Sequence, residues 1–165
     1  MYSNYKKNST VKYLIACNPL GAITFLSQGY GGRATDKYIV KNSGFIHPNI
    51  HSPYDQVLAD RGFDLKDEFA AGCSTESLIP SFTKNKKQLS AKEIETTRKI
   101  AHVRIHIERV IGQMKSRFHI LDGPLPITFI KGLKDHNSGE VPSIDKLVTG
   151  CGALVNLHNG IIYSE

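Results

Sequence analysis

No stretch of the sequence approaches the ~20 consecutive apolar residues that a bilayer-crossing helix requires. Its start, Met1-Tyr2-Ser3-Asn4-Tyr5-Lys6-Lys7, lacks the apolar run of a signal peptide, so the expectation is a protein that stays inside the cell. Cysteine is scarce. Cys17, Cys73 and Cys151 are odd in number, far apart and without a neighbouring Cys or His pair of metal-ligand spacing. A disulfide framework and a zinc finger are therefore not suggested, and buried, reduced thiols are expected. Repeats, low-complexity tracts and strong linkers are also missing, and 165 residues suit one domain with a core of its own. The expected organisation is a single domain over residues 1–165.

What is present is an ordinary globular composition, 40% hydrophobic and 22% charged, with a formal net charge of +6. A basic balance favours a polyanionic partner such as DNA or RNA, because neutralising phosphates drives non-specific binding, although many basic domains bind no nucleic acid. The apolar run Val11 to Cys17, the turn Asn18-Pro19-Leu20-Gly21 and the run Ala22 to Ser27 predict a β-hairpin. Proline presets one turn dihedral and glycine tolerates positive φ. In Gly29-Tyr30-Gly31-Gly32-Arg33, the glycines permit either a bend leaving an edge strand or a close approach of backbone to a ligand.

Thr35 or Asp36 caps a predicted helix to about Asn42, closed by Gly44. Gln56 to Asp60 reads as a buried strand ending in an aspartate, Asp64 opens a short helix to about Ala71, and Leu78-Ile79-Pro80 is a brief strand. A basic loop, Phe82 to Gln88, carries Lys84, Lys86 and Lys87. Ser90 and Glu93 form a capping box that opens a long helix over roughly 91 to 118. Its apolar stripe holds Ile100, Val103, Ile107, Val110, Ile111, Met114 and Phe118. Arg98, Lys99, His102, His106, Arg109 and Arg117 lie on the other side. A second helix, about Ile144 to Asn156, is apolar nearly all round and expected to be buried. This order of elements indicates an α/β fold with a sheet covered by helices.

Two carboxylates occupy unusual places. Asp60 ends an apolar strand, and the carboxyl ends of strands are where open α/β sheets bind ligands; it is also a plausible turn-former. Glu108 sits at the margin of the apolar stripe with Ala101 and Gly112 as its small neighbours, and it could instead pair with Arg104 or Lys115. Separated acids on a strand end and a helix are what a Mg²⁺ or Mn²⁺ site needs, since hard cations take oxygen ligands. Paired metals ~4 Å apart serve phosphodiester cleavage. His102 and His106 are one turn apart but have no evident third zinc ligand. Lys84, Lys86, Lys87, Arg98 and Arg109 could line a phosphate-binding surface or simply face solvent.

Several segments resemble the Harbinger-like DDE superfamily endonuclease domain of eukaryotic transposases. They are Tyr2-Ser3-Asn4-Tyr5-Lys6 through Thr10-Val11-Lys12, Gly21 to Ser27, Gly31-Gly32-Arg33, Asp36-Lys37, Leu58 to Phe63, Ile79 to Thr83, Gln88-Leu89-Ser90, Arg104 to Gly112, and Ile144-Asp145-Lys146. The motifs stand in family order over nearly the whole chain. The resemblance implies an RNase H-like mixed sheet flanked by helices and an Asp-Asp-Glu triad holding divalent metal. Asp60 is similar to the second aspartate and Glu108 to the glutamate.

The family's first aspartate lies on a strand preceding the Tyr-Ser-x-Tyr-Lys segment at which this chain begins. The expectation is therefore an N-terminally truncated domain lacking that first strand, weak or inactive on its own. Asp36 belongs to a separate motif and is read as a helix cap. The resemblance further implies DNA as substrate, a nuclear location and a separate DNA-binding partner protein. The alternative is an inactive, domesticated DNA-binding or protein-interaction module.

Overall fold

The computed structural model describes residues 2–3, 8–63, 65–80, 90–130 and 141–158. Its strands are β1 (Tyr2–Ser3), β2 (Asn8–Ser9), β3 (Val11–Lys12), β4 (Ile15–Cys17), β5 (Ile23–Leu26), β6 (Tyr30–Gly31), β7 (Gln56–Leu58) and β8 (Glu76–Leu78). Its helices are α1 (Asp36–Asn42), α2 (Lys66–Cys73), α3 (Ala91–Arg117) and α4 (Ser143–Asn156). The strands described pair two by two: β1–β2, β3–β6 and β4–β5 antiparallel, β7–β8 parallel. The fold is mixed α/β, built from small sheets and helices. The chain divides into two compact units, one formed by Met1–Ala34 with Ile107–Glu165 and the other by Thr35–His106.

The hairpin organises the first unit. Asn18 accepts the Gly21 N–H on its carbonyl oxygen and donates its own N–H to the Ala22 carbonyl, each at 2.9 Å. Gly21 takes φ +82°, a value that disfavours any side chain. Period-2 alternation turns Val11, Tyr13 and Ile15 to one face, where they pack with Ile23 and Leu26 against Met114 of α3 and Ile144, Val148, Cys151 and Val155 of α4. The α4 helix is buried on this face only. Leu154 is 49% exposed, so the reading of a helix buried all round is corrected. Its small residues Thr149, Gly150 and Ala153 lie on the exposed side. At its end, the Asn156 side-chain amide accepts the Ile23 N–H and donates to the Ile23 carbonyl, both at 2.8 Å, and so caps the outer edge of β5.

Asp145 ties the start of α4 to the hairpin. Its side chain is buried, and Oδ1 accepts the Tyr13 hydroxyl at 2.7 Å and the Gly29 N–H at 3.0 Å. A Cβ at position 29 would stand 2.8 Å from Asp145 Oδ1 and from Val11 Cγ1, and 2.9 Å from the Tyr13 hydroxyl oxygen, so only glycine fits there. The close approach of backbone at Gly29 is to a buried carboxyl group of the chain itself, not to a ligand. Burial, together with the hydrogen bond to Asp145, raises the Tyr13 pKa far above its ordinary value of 10.0.

In the second unit, Thr35 caps α1 by accepting the Tyr38 N–H at 3.2 Å, and Gly44 adopts φ +78° just past its end. Ile39, Val40, Phe45, Leu65, Phe69 and Ile100 are buried there. Phe45 meets His51 and Phe69 edge to face, with ring centroids 4.8 and 5.9 Å apart. The segment from β7 through α2 to β8 is a β-α-β unit, which is what two neighbouring parallel strands require.

Three expected boundaries move. The strand expected to end at Asp60 ends at Leu58, which is 41% exposed, so β7 is half-buried rather than buried. The strand placed at 78–80 is Glu76–Leu78, and α2 begins at Lys66. Position 64, expected to open that helix, lies outside the described residues, as does the side chain of Glu93 in the expected capping box. Helix α3 ends within a residue of its expected limits, but Val103 of its apolar stripe is 40% exposed. Burial keeps Cys73 and Cys151 from solvent and raises the Cys151 thiol pKa, in line with the reduced thiols expected. Among the described residues no helix is long and apolar enough to cross a membrane.

Tyr13→Phe removes one of two donors to a buried carboxyl and should lower the unfolding free energy by about 1–3 kcal/mol. The Tyr13 pKa is raised on folding, so its contribution is complete below the ordinary tyrosine value and is lost as pH rises beyond it. Denaturant titrations above pH ~10 should therefore show stability falling more steeply in the parent chain than in Tyr13→Phe. Parallel alkaline limbs would refute this.

Candidate active-site carboxylates

Asp60 stands two residues beyond the C-terminal end of β7. The ladder continues for one step past the strand, the Ala59 N–H donating to the Leu78 carbonyl at 3.0 Å. The chain then leaves the sheet in a 3-10 turn, Arg61–Phe63, closed by the Phe63 N–H donating to the Asp60 carbonyl at 2.9 Å. Asp60 is thus delivered at the end of a parallel strand, as the sequence suggested, although from the loop rather than from the strand itself. Its side chain is 47% exposed, and Oδ2 lies 3.4 Å from Arg104 Nη1 of α3.

Glu108 belongs to the first unit and is exposed on α3. Gly112, one turn further along, has open space where a side chain would be, so the neighbour one turn on does not shield the glutamate. Arg104 Nη1 lies 3.4 Å from Asp60 Oδ2 and Lys115 4.0 Å from Asp122, and Glu108 itself has interactions of its own. Arg98 and Arg109 are exposed, as a phosphate-binding surface would need. Lys84, Lys86 and Lys87 and the side chain of His102 lie outside the described residues. Among the described residues, His106 Nδ1 is buried without a hydrogen-bond partner.

These donors suit a hard cation. Mg²⁺ is ordinarily held by one or two carboxylates together with water and substrate phosphate oxygens, so a complete protein cage is not required. Asp60 offers such a carboxylate, and its half-solvated pair with Arg104 is weak enough for a divalent ion to compete. Among the described residues no group of three or more His, Cys, Asp and Glu could hold a metal ion.

Sequence reasoning noted Asp145 only within the segment Ile144-Asp145-Lys146 and gave it no role. A signal existed, an acid in the first turn of a helix beginning at Ser143, a position where acids commonly satisfy backbone N–H groups and remain exposed. Here the side chain turns inward instead.

The family model described as DDE superfamily endonuclease matches residues 1–156, and the chain belongs to that family. Membership points to a nuclease-like hydrolase acting on DNA. No curated protein and no solved structure matches the chain.

The Asp60–Arg104 pair is half exposed, and pairs of this kind contribute about 0–1 kcal/mol. Arg104→Gln should therefore leave the denaturation midpoint close to that of the parent. A loss above 2 kcal/mol, well outside the ordinary range of exposed pairs, would mean that the pair is structural.

Proposed function

We propose that the chain is a divalent-metal-dependent DNA endonuclease of the Harbinger transposase type, with its sheets and helices in an RNase H-like arrangement as one domain. Asp60 and Glu108 are the metal-holding carboxylates, with Mg²⁺ or Mn²⁺ as the ion. The reading is carried by the match of the DDE superfamily endonuclease model to residues 1–156, together with a half-exposed carboxylate just past the end of a parallel strand. The bound metal would supply an activated water and stabilise the leaving oxygen of the cleaved phosphodiester.

The chain's own residues have three tasks. Asp60 and Glu108 bind and orient the ion through carboxylate oxygens. Arg104, 3.4 Å from Asp60 Oδ2, would keep that carboxylate positioned to hold the ion. Arg98 and Arg109, with Lys84, Lys86 and Lys87, contact phosphate oxygens along the DNA, which position the duplex without reading its sequence. Target recognition then falls to a separate DNA-binding partner.

As an impaired member of the family, purified chain incubated with supercoiled DNA should nick it only weakly, in Mg²⁺ or Mn²⁺ and not in EDTA, and Asp60→Asn and Glu108→Gln should each reduce that nicking to background. Activity that survives both substitutions removes the assignment. Salt-dependent DNA binding without nicking in the parent would favour the inactive binding module instead.

DNA affinity should fall linearly on a log–log plot against salt. Arg98→Ala and Arg109→Ala should each lower the slope by about 1, as expected for loss of one phosphate contact. An unchanged slope in both would remove these arginines from the interface.

A further inference from the structure

We propose that Asp36 is a positioning residue for Asp60, acting through the turn that follows Asp60; the proposal rests on the nuclease reading above. Gly62 is the middle residue of the 3-10 turn Arg61–Phe63. A Cβ added there would stand 3.1 Å from Asp36 Oδ2, tighter than ordinary van der Waals contact. Gly62 does not share the positive φ of Gly21 and Gly44, so backbone freedom is not what selects glycine. The Asp36 carboxyl group lying against the turn is the constraint.

Asp36 is itself well anchored. It is the first residue of α1, which Thr35 caps and which buries Ile39 and Val40 at 3% and 2% exposure. Lys41, on the last turn of α1, pairs with Glu68 of α2 at 2.6 Å. This contact holds the exposed Glu68 carboxyl below the usual carboxylate range. By contrast, Asp60 is half exposed and its ion pair with Arg104 is long. The direction of its Cα–Cβ bond is set by the backbone where the turn begins, and Asp36 braces that turn from the packed helix. Supporting groups of this kind hold ligands in the geometry a metal requires, and losing one commonly costs about 10–100-fold in metal affinity.

An acid in the first turn of a helix also favours the helix by its charge alone. A purely capping role would loosen the start of α1 and leave the turn after Asp60 untouched, which separates the two roles experimentally. The test is amide hydrogen exchange on the full chain together with Mn²⁺ affinity read from water-proton relaxation.

In Asp36→Ala, the Phe63 amide, whose bond to the Asp60 carbonyl closes the turn, should exchange several-fold faster. The Phe69 amide of α2, bonded to the Leu65 carbonyl, should keep its parent rate, and Mn²⁺ affinity should fall about tenfold or more. Asp36→Asn keeps the shape of the side chain and should restore both readings. Gly62→Ala pushes against the carboxyl from the exposed side and should reproduce the Asp36→Ala effects, and the double variant should be no worse than either single one.

An unchanged Phe63 rate in Asp36→Ala and Gly62→Ala overturns the proposal, as does faster exchange confined to Tyr38 at the start of α1. If Asp36→Ala does not fold, the Gly62→Ala result decides. A parent chain that takes up no Mn²⁺ while Phe63 responds as expected would overturn the nuclease reading and support the brace between Asp36 and the turn.

Discussion

A single buried oxygen holds the first unit together. Asp145 Oδ1 accepts both the Tyr13 hydroxyl and the Gly29 N–H, and so fixes the start of α4 to the segments that lead into β4 and into β6. A buried carboxyl is tolerated only when its hydrogen bonds are made, and each donor here is supplied by an element whose conformation depends on its neighbours. The apolar face of α4 can close on the hairpin only with Asp145 in register. Asn156 repeats the device at the other end of the helix, where one amide satisfies the backbone of Ile23. Between these two polar ties lies the core of Val148, Cys151 and Val155. Apolar packing supplies the driving force, and the hydrogen bonds choose the alignment.

The second unit uses a different arrangement, in which a short parallel strand pair and its crossover helix carry a carboxylate out into solvent at the strand end. The metal role proposed for Asp60 requires a charged, reachable group, and its side chain is 47% exposed where Asp145 is buried. The position of Asp60 comes from the elements around it: the strand that ends before it, the tight turn after it, and the helix packed beside that turn. Functional groups on loops gain precision from the rigid elements that carry them. In this unit the rigid elements are α1 and α2, closed around Phe45 and Phe69.

Much of this was legible in the sequence where the signal is local. The hairpin turn at Asn18 to Gly21, the Thr35 cap with Gly44 beyond it, and the limits of α3 all follow from residue-by-residue conformational preference, and each is found within a residue or two. Asp60 was legible as a strand-end acid because an apolar run stops there, but short strands have no sharp end in sequence, and the turn was absorbed into the strand. Burial was less legible. The one-sided face of α4 is hidden by small residues that read as apolar all round, and the exposure of Leu58 and Val103 depends on which elements cover them. Asp145 was illegible for the same reason. Only the three-dimensional placement of Tyr13 and Gly29, more than a hundred residues away in the chain, turns an ordinary first-turn acid into a buried tie.

The central claim is that Asp60 and Glu108 serve one divalent ion. The most direct measurement is paramagnetic broadening of backbone amide signals in the isotopically labelled full chain as Mn²⁺ is added well below one equivalent. The account predicts that the amides of Asp60 and Glu108 broaden together, at the same Mn²⁺ concentration, and that both recover when Mg²⁺ in excess displaces the probe. Broadening at only one of the two, or at neither before scattered surface sites respond, would contradict it.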